Sequence, residues 1–185
     1  MIELLTGVDQ EIFIFINHLP HNIFSDYFFA FFSGVASWGV VWFVIGISLF
    51  VWEEITDKKG LVALLLAGII VLITIEVGAK YLLERPRPEF VLNNTIVVLD
   101  KSASPSFPSG HAAMAFAAAY ILAKEHKRWQ YGYYSLAFLI AFSRIYLGKH
   151  YPSDVLMGAI LGLLVGVFSL TISTYFLNPT KSSGR

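Results

Sequence analysis

The chain has 185 residues, 56% of them hydrophobic and 14% charged, with no cysteine and equal numbers of cations and anions. A mean hydropathy of +0.66 is too high for a soluble domain of this length, so one polytopic membrane domain over residues 1–185 is expected. Zero net charge gives no general attraction to nucleic acid or acidic lipid, and the lack of cysteine excludes disulfides, thiolate metal sites and a cysteine nucleophile.

Residues 2–19 place Ile12, Phe13, Ile16 and Leu19 at helical spacing but also carry Asp9, Gln10, Glu11 and Asn17. The stretch is too polar and too short to span comfortably, and an amphipathic helix lying in the membrane interface is expected. No basic segment or small-residue cleavage site follows Met1, so the first span is expected to direct insertion. Residues 26–52 are apolar, aromatic-rich and long enough to cross about 30 Å of hydrocarbon. A charged turn over 53–59 leads to a second span over 61–83, which holds Glu76 and Lys80 near its far end. Residues 84–108 contain four prolines and no periodicity, which predicts a loop. A short alanine-rich third span follows over 109–124, a basic turn over 125–130, a fourth span over 131–147 and a fifth over 155–177. The tail over 178–185 is expected to be disordered. The predicted architecture is all-α: a membrane helix bundle of five transmembrane helices plus the N-terminal interfacial helix. Gly158, Gly162 and Gly166 repeat at four-residue spacing along the fifth span and are expected to let a neighbouring helix approach closely.

Charge sets the orientation. Five spans put Lys58, Lys59, Lys124, Lys127, Arg128, Lys181 and Arg185 on one side. The other side carries Arg85, Lys101 and Lys149, once Lys80, Arg87 and Arg144 are set aside as site candidates. Seven cations against three make the short turns and the tail cytoplasmic, and the polar stretches then face outward together.

Three of those stretches hold chemically costly residues at the membrane edge. In the run from Ser143 to Asp154, Arg144 offers a planar fork for an oxyanion, and His150 offers a ring nitrogen that can be base or nucleophile. If Pro152 lies in the first turn of the next helix, Asp154 comes within reach of His150 and can fix its tautomer. Lys80, followed after six residues by Arg87-Pro88, is denser in charge than membrane anchoring requires. Glu76 lies one turn before Lys80 on the same face, where its plainest role is to neutralise the lysine. In Pro108-Ser-Gly-His111 a loop turns into a helix; the free N–H groups of such a start attract an anion, Gly110 permits close approach, Ser109 adds a donor and His111 points at the same place. Together Lys80, Arg87 and Arg144 supply charge, Ser109 and Gly110 supply neutral donors, and His111 and His150 supply imidazoles. That is a phosphate pocket with two proton-transfer or nucleophilic groups.

The three motifs, Lys-x6-Arg-Pro, Pro-Ser-Gly-His and Ser-Arg-x5-His-x3-Asp, occur in this order and without departure between Lys80 and Asp154. They resemble the type 2 phosphatidic acid phosphatase and vanadium haloperoxidase superfamily. The resemblance implies a helical fold without cofactor or metal, with His150 as nucleophile forming a phosphohistidine, Asp154 orienting it, and His111 as general acid and then base. Lys80, Arg87, Ser109, Gly110 and Arg144 would bind the phosphoryl oxygens. The membrane branch of the family dephosphorylates lipids. The small size and the short loop over 90–107 resemble bacterial members acting on undecaprenyl diphosphate or phosphatidylglycerophosphate, with phosphatidic acid as a further alternative.

Three rival readings follow from the same residues. His111, His150 and Asp154 are also a catalytic ligand set for a metal-dependent hydrolase, but a dication beside three protein cations would be repelled where a phosphate dianion is stabilised. A transporter or phospholipid-binding protein would need the anion site without turnover, and an intact His150 and Asp154 weigh against it. A soluble haloperoxidase would share the pocket but not the apolar spans.

Overall fold

The computed structural model describes residues 2–35, 39–51, 58–99 and 102–177, and every regular element among them is helical. In chain order these are α1 (Ile2–Asn17), α2 (Ile23–Val35), α3 (Val40–Val51) and α4 (Lys59–Val71). A π-helical stretch, Leu72–Ala79, continues α4 into α5 (Lys80–Leu83), and a single turn, α6 (Pro88–Val91), follows. The chain ends with α7 (Gly110–Glu125), a 3-10 turn (Lys127–Trp129), α8 (Gln130–Tyr146) and α9 (Pro152–Leu177). Among the described residues two helices, Lys59–Val91 and Pro152–Leu177, are long and apolar enough to cross a membrane, and α2 with α3 would make a third if they are one broken span.

Alanine makes α7 the axis of the bundle. Its residues 112, 113, 115, 117, 118, 119 and 123 are all buried alanines, which leaves a thin helix that α4, α8 and α9 approach from different sides. On α9 the glycine stripe faces it: a methyl group at Gly158, Gly162 or Gly166 would collide with the main-chain oxygen of Ser109, Ala113 or Ala117. Ser169 and Ser173 continue the stripe in buried positions, and Ser173 Oγ donates to Lys59 O at 2.6 Å. This close contact has a consequence at the other end of the pair, where Ser109 N donates to Asp154 O at 3.0 Å. The starts of α7 and α9, and the residues that precede them, are thereby held together.

The N-terminal helix docks on the bundle through its polar side. Asp9, Phe13 and Asn17, spaced one turn apart, are buried, whereas Val8, Ile12 and Phe15 are exposed. Asn17 is fixed from both ends: its amide donates to Ile96 O and Tyr146 O at 2.9 Å, and its oxygen accepts from Ile96 N at 2.8 Å. Asp9 and Asn17 thus face protein, where buried partners satisfy them, while Glu11 stays exposed.

One expected span is interrupted. Residues 26–52 read as a continuous helix, but α2 and α3 are inclined by 67°. Gly39 has φ +74, outside the helical range, and Met114 of α7 fills the space where a side chain would sit. The break lets α2 lean toward α8, where Ser33 meets Arg144. Most of the charged turn over 53–59, and the tail expected to be disordered over 178–185, lie outside the described residues.

Candidate active site

The prolines of the Glu84-Arg-Pro-Arg-Pro88 run end the long helix by physical necessity. Glu84 caps α5 in the left-handed region with φ +43, Arg87 is extended, and Pro88 takes the first position of α6, where it needs no N–H partner. The loop that follows folds back over the start of α9. Buried Glu89 pairs with Lys149 at 3.0 Å and accepts from Ser102 N at 3.0 Å, while Lys149 also donates to Leu99 O. Gly148, with φ +79, makes the turn into this segment; a side chain there would strike Ile96 O. These ties hold His150 at the junction of loop and helix.

A cavity of about 400 Å³ opens at this junction. Lys80, Arg87, Gly110, His111, Arg144 and His150 line one part of it, with Glu76, Ser102 and Ser104. Phe43, Leu65, Ile69, Leu72 and Met114 line the rest, so a charged seat continues into an apolar channel between α3 and α4. Six of the eight site residues expected from sequence therefore share the cavity wall. The other two stand behind it. Asp154 is buried under His150, and the Ser109 hydroxyl caps its own helix, 3.4 Å from Ala112 N.

The two ring nitrogens of His150 have different surroundings. Nε2 faces Arg87 Nη1 at 3.4 Å, and a guanidinium can only donate, so Nε2 carries a lone pair. Nδ1 then carries the proton and faces Asp154 Oδ2 and Ser106 Oγ, each at 3.5 Å. The distance is long for a hydrogen bond. Asp154 Oδ2 has closer partners in Ser106 Oγ and Tyr151 N, and Ser106 stands between the two. Burial first, then the positive charges of Arg87, Arg144 and Lys80, hold the His150 ring well below the ordinary imidazole value. At neutral pH it is the free base, the form that can attack phosphorus.

The three cations differ in what they have free. Arg87 is committed to the loop: it donates to Ser104 O at 2.7 Å, Ser104 Oγ at 2.9 Å and Lys149 O at 2.9 Å, and contributes charge more than open donors. Arg144 bonds Ser33 through Nη1, while its buried Nε has no partner among the described residues. Lys80 is paired with Glu76 at 2.7 Å. The buried Nε2 of His111 likewise has no partner among the described residues, although the ring lines the cavity.

Sequence reasoning missed a second layer. Arg85 and Lys149 read as orientation-setting cations on the outer side, but both are in ion pairs beside the site. Arg85 bridges two carboxylates, Asp154 Oδ1 at 2.5 Å and Asp9 Oδ2 at 2.6 Å, and lies over the Tyr151 ring at 4.1 Å. Asp9 also accepts from Ser153 N at 2.9 Å and Ser153 Oγ at 2.5 Å. The N-terminal helix thus reaches the carboxylate that backs His150. The position of Arg85 two residues before Arg87 was a usable signal; Asp9 had none, since nothing in its spacing relates it to residue 154.

Residues 60–177 match the PAP2 superfamily, and the chain belongs to that family. An undecaprenyl-diphosphatase of Sulfolobus acidocaldarius is 30% identical over 135 residues, which are 72% of this chain and 64% of that protein. The chain thus spans just under two-thirds of that relative. The crystal structure of Aquifex aeolicus LpxE is similar with a TM-score of 0.74 and 33% identity, over 89% of this chain and 95% of that one. A transmembrane PAP2-type phosphatidylglycerolphosphate phosphatase from Bacillus subtilis is similar with a TM-score of 0.70 and 26% identity, over 95% and 89%.

Proposed function

We propose that the chain is an integral-membrane lipid phosphatase that works through a phosphohistidine on His150. The observation that carries this reading is the cavity itself, a cationic seat beside an imidazole lone pair that opens into an apolar channel. A phosphate on a long hydrocarbon chain matches both halves.

In the first step His150 Nε2 attacks the terminal phosphorus, the bond from phosphorus to the leaving oxygen breaks, and His111 gives that oxygen its proton. In the second step water attacks the same phosphorus, His111 takes the water proton, and the phosphorus–nitrogen bond breaks to release inorganic phosphate. Lys80, Arg87, Arg144 and the N–H groups at Gly110 stabilise the charge on the equatorial oxygens, which is the main demand of phosphoryl transfer. Ser109 supports the seat by starting α7. Asp154 and Ser106 keep the Nδ1 proton in place. Arg85, Ser106 and Tyr151 N occupy the Asp154 carboxylate, which weighs against its use as a metal ligand.

Undecaprenyl diphosphate is the substrate this reading favours, with phosphatidylglycerophosphate and phosphatidic acid as alternatives. Phosphate release by the purified protein from these three lipids is expected to be fastest with undecaprenyl diphosphate, to persist in excess chelator and to be blocked by vanadate. Loss of all activity in chelator, restored by a divalent ion, would move the mechanism to a metal-dependent one.

The domain is proposed to cross the membrane five times, with α1 in the outer interface and the active site open to the extracytoplasmic side. At about 24 Å, α1 is short of the hydrocarbon thickness. The ion pairs of Arg85 with Asp9 and Asp154 and of Lys149 with Glu89 give these two outer cations a role beside the site, which sharpens the charge contrast. A membrane-impermeant thiol reagent on intact cells is expected to label a cysteine introduced at Asn94 and to spare one at Lys127. The reverse pattern would place the site in the cytoplasm.

A further inference from the structure

Glu76 sits where an anion belongs. Its Oε2 is 2.7 Å from Lys80 Nζ, and its carboxylate lies so close to the start of α7 that a methyl group at Gly110 would collide with it. The carboxylate therefore touches two of the elements that the proposed function assigns to the terminal phosphate. The π-helical stretch Leu72–Ala79 holds Glu76 immediately before the ordinary helical turn that carries Lys80. Such stretches are frequent at functional sites.

We propose that Glu76 is the resident counter-anion of the phosphate seat: substrate phosphate must take Lys80 from it, and its return to Lys80 after hydrolysis helps to expel inorganic phosphate. The idea rests on the phosphatase reading and deepens it. Lys80, Arg87 and Arg144 give the cavity three positive charges, and a phosphate dianion with no competitor would be held there strongly after the reaction is complete. Glu76 lowers that affinity without removing a donor. It does so equally for substrate and product, but the substrate keeps the additional contacts of its lipid chain in the apolar channel and the product does not. Glu76 thus shifts the balance toward release of the product. A carboxylate with a purely structural role, neutralising a buried lysine, would affect folding and leave phosphate affinity unchanged or weakened.

The test compares wild type with Glu76→Gln, which keeps the shape and removes the charge. Inorganic phosphate binding is read from the rise in unfolding temperature with phosphate concentration, since a ligand of the folded state stabilises it by an amount that grows with the logarithm of its concentration over its Kd. The variant is expected to bind phosphate about tenfold more tightly or better, as loss of a like charge within a few ångströms implies. Turnover of undecaprenyl diphosphate should show stronger inhibition by added phosphate, with KM and kcat both reduced. Unchanged or weaker phosphate binding in Glu76→Gln overturns the proposal. If that variant does not fold, Glu76→Asp carries the test: it keeps the charge but withdraws it from Gly110, and about threefold tighter phosphate binding is expected. Unchanged or weaker binding there is equally decisive against it. Because the binding measurement does not depend on turnover, the phosphatase reading fails separately, by absence of phosphate release from every lipid by the wild-type protein.

Discussion

His150→Ala is expected to remove essentially all phosphate release, on the order of 10⁴-fold or more, because the lone pair at Nε2 that faces the cationic seat disappears. Asp154→Asn should cost less, roughly 10²- to 10⁴-fold, since the nucleophile survives. The geometry gives a reason for the trace that remains. Asp154 stands 3.5 Å from Nδ1, and Ser106 Oγ, at the same distance, is left to accept the Nδ1 proton. The double variant should be no worse than His150→Ala alone, because the two residues act as one unit. Phosphate release from undecaprenyl diphosphate by the three variants decides the matter, and substantial turnover in His150→Ala would remove the nucleophile from its assigned place.

The same geometry shows what could be read from the sequence and what could not. Lys80, Arg87, His111, Arg144 and His150 announce themselves because charged and ring residues are costly at a membrane edge, and the structure gathers all five around one cavity. The glycine stripe of α9 was equally legible, since four-residue spacing in an apolar helix has few uses besides close packing. Contacts that depend on three-dimensional neighbours were not. Asp9 lies 145 positions before Asp154, the partner that it reaches through Arg85. On an amphipathic helix, a polar residue bound for a buried partner looks the same as one bound for water. Ser106 sits outside the four-residue motif that begins at Pro108, and its role depends on the fold of the loop. The bend between α2 and α3 and the π-helical stretch were hidden for another reason. Both lie in largely apolar segments, where hydrophobic periodicity carries little information about helix continuity.

His111→Ala is the second variant with a large expected effect, and its effect should depend on the substrate. In the first step His111 protonates the leaving oxygen, and in the second it activates water. A diphosphate lipid loses a phosphate monoester whose second pKa is roughly 6, which leaves with little help. A simple phosphate monoester loses an alkoxide whose conjugate acid is nearer the roughly 15.7 of water. The variant should therefore react readily with undecaprenyl diphosphate and then stall at the phosphoenzyme, while barely reacting with phosphatidic acid. Equal reaction with both lipids would show that His111 is not the acid of the first step.

That stalled species can be trapped and located in the chain. His111→Ala is mixed with undecaprenyl diphosphate labelled in its terminal phosphate, quenched, digested and mapped. Acid-labile, base-stable label is expected to accumulate on the peptide containing His150, with nearly stoichiometric occupancy. Label on any other residue would contradict it, as would an unlabelled variant alongside a wild-type enzyme that turns over the same lipid.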